Sequence, residues 1–176
     1  MRVQYVALGC RVFLGITFVI AAFGKLRSRS ALAEFTDSLS AWGWAFLPVH
    51  GHRFVALAVG LVEVAVVVLL AFDVTARVGF MLALAVLLVF TTALGSALRG
   101  NRRIRCNCFG RSGADISAVH LVRNVILTVT AGLGVTAYVS EGASIAVEST
   151  LVTLAVAVIG AVVVTRLDDL AFLAGR

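Results

Sequence analysis

Residues 78–98 read VGFMLALAVLLVFTTALGSAL, without a single charged side chain. A helix that crosses a bilayer needs about 20 mostly apolar residues, and this stretch meets that length alone. Working outward, 54–72 repeats the pattern with one acid, Glu63, in its middle, and 119–138 does so with His120 and Arg123 near its start. At the ends of the chain lie 3–24, interrupted only by Arg11, and 146–165, rich in Val and Ala with Glu148 at its edge. Runs of this length exclude a membrane barrel, whose strands are alternating segments of roughly 10 residues. The sequence therefore predicts an all-α polytopic membrane protein in a single domain, residues 1–176.

Composition agrees. The 176 residues are 61% hydrophobic and 14% charged, with a mean hydropathy of +1.05, whereas a soluble domain is about 45–50% apolar and about 25% charged. Disordered, collagenous and disulfide-stapled secreted classes are excluded, since the apolar runs are long and the chain has one Pro and three Cys. The first segment is too long for a signal-peptide core, and the basic cluster at 25–29 after it reads as an anchor, not a cleavage site.

Two connections are long. In 30–46, Leu32, Phe35, Leu39, Trp42 and Phe46 recur at steps of three and four, with Glu34, Asp37, Ser38 and Ser40 opposite. That periodicity predicts an amphipathic helix on or dipping into the membrane interface, with Trp42 and Trp44 suited to the headgroup layer and Gly43 and Pro48 ending it. The other connection, 99–117, carries a cysteine pair. Five spans place Lys25, Arg27, Arg29, Arg53, Arg99, Arg102, Arg103, Arg105, Arg111, Arg166 and Arg176 on one side, against Arg2 and Arg77 on the other. Basic loops stay in the cytoplasm, so the charge bias puts the 99–117 loop inside, in a multi-pass protein of the cell membrane. The lipid bilayer is the first partner, and anionic headgroups suit the same arginines. Nucleic acid is not a partner, because no stacking aromatics are interleaved with them.

The densest chemical signal is Arg105-Cys106-Asn107-Cys108-Phe109-Gly110. Two cysteines one residue apart close a small, readily reduced disulfide ring, and the surrounding arginines favour the reactive thiolate. Cys106 and Cys108 are thus the candidate catalytic residues, with Arg105 as thiolate stabiliser; the alternative is two small residues packing near an interface. Cys10, inside the first span, reads as a packing residue. His50 and His52 face the same compartment as the pair, so a tetrahedral metal site from Cys106, Cys108, His50 and His52 is an alternative. The ligand spacing is poor, and the histidines read more simply as solvated loop residues. Glu63 in mid-span is costly unless it meets a partner or a cavity. Arg123, Asn124 and Lys25 are the candidate partners, in either a structural clamp or a proton-handling cluster.

These residues resemble the MauE (methylamine utilisation) branch of the DoxX-like redox-associated membrane proteins. The pieces that carry the resemblance are Gly24-Lys25-Leu26 ending the first span, Glu63 in the second, the Cys-x-Cys-Phe-Gly block, and Leu121-Val122-Arg123-Asn124 opening the fourth. They cover roughly 5–138. The resemblance implies a four-helix membrane bundle acting in thiol–disulfide transfer beside a thioredoxin-like protein or a thiol-bearing client, with disulfide delivery on the outer face. That implied side opposes the charge bias. The layout is also similar to vitamin K epoxide reductase, which suggests a quinone as cofactor, although no residue here fixes one. Asn107 stands where the branch is expected to have Gly, the first long loop has no cysteine pair, and the fifth span adds to the four-helix pattern.

The functional expectation is a membrane thiol–disulfide oxidoreductase or electron relay that supports maturation of a partner protein. Its alternative is a non-catalytic assembly or metal-binding subunit. A small-solute carrier ranks last, because the spans lack the Gly/Pro interruptions expected of carrier helices.

Overall fold

The structure, a computed structural model, describes residues 2–41, 49–99, 118–139 and 147–167. Six helices follow one another: α1 (Arg2–Leu26), α2 (Arg29–Ala41), α3 (Val49–Ala71), α4 (Asp73–Arg99), α5 (Ala118–Val139) and α6 (Val147–Thr165). Among the described residues four stretches are long and apolar enough to cross a membrane: Tyr5–Leu26, Gly51–Ala71, Asp73–Ser96 and Val119–Ala137. They are the first four expected spans. The fifth corresponds to α6, whose described apolar stretch, Leu151–Thr165, is shorter.

Helices α1, α3, α4 and α5 close a ring in which each packs on its neighbours, and consecutive spans run antiparallel. The core between them contains Leu14 and Phe18 of α1, Val66 and Leu70 of α3, Phe80 and Leu87 of α4, and Leu127 of α5. Cys10 is buried in the same core as a free thiol, the packing role its place in the first span suggested. Side chains such as Leu61, Val68 and Val89 cover the outside, as suits a surface solvated by acyl chains. One contact sets how closely α4 and α5 approach: a Cβ on Gly134 would fall inside the ring of the fully buried Phe80. Helix α6 lies outside the ring against α1, where Thr153 meets Gly9 and Phe13 meets Gly160.

The boundary between α3 and α4 differs from the hydropathy reading. Residues 73–77, expected as a loop between spans, form the first turn of α4, and only Phe72 separates the two helices. Asp73 in that turn suits the positive end of the helix, and the Thr75 hydroxyl donates to the Leu69 carbonyl at 2.8 Å. Arg11 ties α1 to this corner, its guanidinium donating to the carbonyls of Leu70 and Ala71 and to the Asp73 carboxylate.

At the opposite end α1 stops early. Leu26, its last residue, packs against Gly60, so residues 49–59 of α3 continue past the end of α1, by about 16 Å at 1.5 Å per residue. Helix α2 fills the space beside them. Ser28 caps it by accepting from the Ala31 amide at 3.1 Å, and Phe35 and Leu39 bury themselves against Ala56, with Leu32, Val55 and Val59 around them. The apolar face expected to rest in the membrane interface is thus spent, over Leu32–Leu39, on protein. The part of the expected 30–46 helix that holds Trp42, Trp44, Phe46 and the Gly43 and Pro48 stops lies outside the described residues.

Candidate functional site

Thr17, Ala21 and Lys25 follow one another at steps of four along α1, which aligns them on one face. The face ends in a lysine that is 1% exposed. The Lys25 Nζ donates to Glu63 Oε1 at 2.6 Å, with both side chains sealed from solvent. On its other side the ammonium sits 5.1 Å from the centroid of the Phe35 ring, a cation–π distance. Helix α2 therefore covers the ion pair with an aromatic face, at the level where α1 has ended.

Around this pair lies a cavity bounded by four helices. Thr17, Phe18, Ala21 and Lys25 come from α1, Glu63 from α3, Val86, Leu87, Phe90 and Leu94 from α4, and His120, Arg123, Asn124 and Leu127 from α5. The α5 residues again follow helical arithmetic, since 120, 123, 124 and 127 are one face. His120 and Arg123 are each 4% exposed. On one cavity the bundle thus collects two cations, one carboxylate, an imidazole and an amide, and α4 contributes only apolar side chains to it. Glu63 uses only half of its hydrogen-bonding capacity on Lys25. Its Oε2 is buried and has no hydrogen-bond partner among the described residues.

The cavity lies at the end of the bundle where the 99–117 connection attaches. Leu94 is within two turns of the end of α4, and His120 is in the first turn of α5. Cys106, Cys108 and Arg105 themselves fall outside the described residues. Of the residues expected to serve them, Lys25, Glu63, Arg123 and Asn124 are brought together on one cavity. Lys25 is the direct partner of Glu63.

One reading of the histidines needs revision. His50 and His52 lie in the first turn of α3, not in a solvated loop, and His52 is 7% exposed. The other residues of the metal-site alternative, Cys106 and Cys108, lie outside the described residues. His120 and Thr17 had no assigned role in the sequence reading, although both were reachable from it. His120 stands three and four residues before Arg123 and Asn124, and Thr17 eight before Lys25, so each shares a helix face with a residue already singled out.

A ring of membrane-spanning helices with a charged cluster sealed in its interior defines the class: an all-α polytopic membrane protein. The particular family follows from comparison with known proteins. The family model described as methylamine utilisation protein MauE matches residues 3–137, and the chain belongs to that family. The methylamine utilization protein MauE of Paracoccus denitrificans is 39% identical over 124 residues, which cover 69% of this chain and 63% of that protein. The chain thus spans less than two thirds of that relative's length. No solved structure matches the chain significantly. The family match takes in α1 to α4, nearly all of α5, and the cysteine-bearing connection, and it ends before α6.

Proposed function

We propose that this protein is a membrane thiol–disulfide oxidoreductase or electron relay, working through Cys106 and Cys108 in methylamine utilisation and supporting maturation of a partner protein. The observation that carries the reading is the Lys25–Glu63 cluster, with Arg123, His120 and Asn124, held beneath the point where the cysteine-bearing connection joins the bundle. Charged groups are retained inside a bilayer where they act on a pathway or a reaction, and the reactive motif of this chain sits in the adjoining segment.

The exchange runs between two partners. A client dithiol supplies a thiolate that attacks the Cys106–Cys108 disulfide; that S–S bond breaks as a mixed disulfide forms. The client's second thiolate then attacks the mixed disulfide, closes the client's own S–S bond and releases Cys106 and Cys108 as a dithiol. A thioredoxin-like protein in its disulfide form reoxidises the pair by the same two attacks in reverse. Two electrons and two protons leave the client and end on the thioredoxin-like partner. Arg105 and its neighbouring arginines hold the thiolate form.

Replacing either cysteine by Ser tests this. Cys106→Ser and Cys108→Ser are expected to abolish transfer between a client dithiol and the thioredoxin-like partner while leaving helical content and melting unchanged. Transfer at the wild-type rate in both variants would refute the assignment. Labelling of a Cys10→Ala protein in intact cells with a membrane-impermeant maleimide, before and after reduction, decides the side. Labelling only in permeabilised cells supports the cytoplasmic placement that the arginines favour, and labelling of intact cells after reduction supports outward delivery.

A further inference from the structure

The cavity beside Glu63 has a volume of about 40 Å³. A water needs about 10–15 Å³ of such space and two to four polar partners. There is room for about three waters. The polar partners are present: Glu63 Oε2 as an acceptor with no hydrogen-bond partner among the described residues, and Lys25, His120, Arg123 and Asn124 on the same walls. A buried carboxylate oxygen with no hydrogen-bond partner among the described residues, next to space that admits water, calls for a hydrogen-bond donor such as water.

We propose that water fills this cavity and that Glu63, through Oε2, is the proton-exchange site of the thiol chemistry, with His120 and the water between them leading toward the loop end of the bundle. The assignment rests on the reading of Cys106 and Cys108 given above. In the reoxidation half of the exchange a Cys106 or Cys108 thiol gives its proton, by way of water, to the Glu63 carboxylate, and the resulting thiolate attacks the disulfide of the thioredoxin-like partner. The partner's leaving thiolate then recovers the proton from the Glu63 carboxylic acid, so Glu63 ends each exchange as it began. Lys25 holds Oε1 and leaves Oε2 for this traffic. The other charged or titratable groups on the cavity are Lys25 from α1 and His120 and Arg123 from α5; α4 contributes none.

Two measurements on the full chain in lipid nanodiscs test the proposal. In the first, glutamate labelled with ¹³C at its side-chain carboxyl is incorporated into a Glu34→Gln, Glu141→Gln, Glu148→Gln protein, which leaves Glu63 as the one labelled side chain. Magnetisation passed from water protons is expected to reach the Glu63 carboxyl as fast as it reaches exposed sites. Arrival as slow as at the Leu127 methyls means a dry cavity and overturns the proposal. In the second, the rate at which the reduced pair attacks a small aromatic disulfide is followed against pH. Glu63→Gln is expected to slow it about 100-fold, as loss of a general base does, and to change the pH profile, with Glu63→Asp restoring most of the rate. An unchanged rate and profile overturns the proton role. Should Glu63→Gln fail to fold, Lys25→Met with Glu63→Gln, in which neither charge is stranded, carries the same comparison. If the Cys106→Ser, Cys108→Ser protein reacts like wild type, the thiol reading falls and the proton role with it. A dry Glu63 beside working cysteines overturns the proton site alone.

Discussion

Removing one member of the Lys25–Glu63 pair should cost far more than removing both. The side chains are 1% and 5% exposed, so neither can turn to water when its partner goes. Truncating one member of a buried pair typically costs about 3–5 kcal/mol, because the other charge is stranded. In Glu63→Leu the stranded ammonium keeps the Phe35 face, worth about 0.5–2 kcal/mol, which offsets only part of the loss. In Lys25→Met the carboxylate loses the ammonium that donates to its Oε1 and should fare as badly. Added independently, the two losses would come to about 6–10 kcal/mol. The double variant Lys25→Met, Glu63→Leu strands neither member of the pair and replaces it by apolar side chains of similar volume, an exchange that is often neutral or stabilising by about 1–4 kcal/mol. The expected result is therefore a double variant within about 1 kcal/mol of wild type, and a coupling energy on the order of 5 kcal/mol or more. Denaturation of the four proteins by SDS in mixed micelles, followed by circular dichroism, measures all the required differences. Single variants within about 1 kcal/mol of wild type, or a double variant as unstable as the sum, would refute the account of the pair as sealed and mutually dependent.

Further expectations follow from the packing. Gly134→Ala should destabilise by about 1–3 kcal/mol because its methyl enters the Phe80 ring, whereas Gly60→Ala meets the end of the half-exposed Leu26 side chain and should cost less; melting temperatures in detergent compare them. Phe35→Ala should cost about 3–5 kcal/mol at most and raise amide hydrogen exchange across α2, since it removes both the contact with Ala56 and the lid over Lys25. Protection of α2 equal to wild type would show that the helix is held by something else. Arg11→Met should cost about 1–3 kcal/mol through the lost carbonyl contacts at the end of α3. Asp73→Asn should cost under about 1 kcal/mol, because Asp73 is 86% exposed and surface ion pairs contribute little.

The spans were legible because hydropathy over about 20 residues is a strong signal, and Glu63 was legible because a carboxyl in mid-span must meet something. The ends of helices were less so. Residues 73–77 look like a loop to a hydropathy argument, yet a polar first turn is where an α-helix places its acids. Helix α2 was legible as amphipathic, but periodicity names an apolar face without naming what covers it. Where α1 stops relative to α3 is a matter of register between helices, and that register turns Phe35 onto Lys25. The choice of Lys25 over Arg123 as the direct partner of Glu63 depends on the same register. Lys25 was among the candidates from sequence, but ranking it first needs the packing that brings together residues 38 apart along the chain.

Arg11 and Lys25 also bear on how the protein is made. Both belong to α1, which is synthesised before α3 and α4, and a basic side chain in an inserting helix is disfavoured, by about 2.5–3.5 kcal/mol at the helix centre and by less toward its end, where Lys25 stands. Their acidic partners are synthesised much later, Glu63 38 residues after Lys25 and Asp73 62 residues after Arg11. Until then α1 can settle only with these two side chains reaching toward opposite membrane surfaces. The arrival of α3 and of its corner with α4 lets both turn inward at once. Assembly of this bundle therefore has a built-in order: α1 precedes α3 and α4 in synthesis but reaches its final depth only once they have arrived.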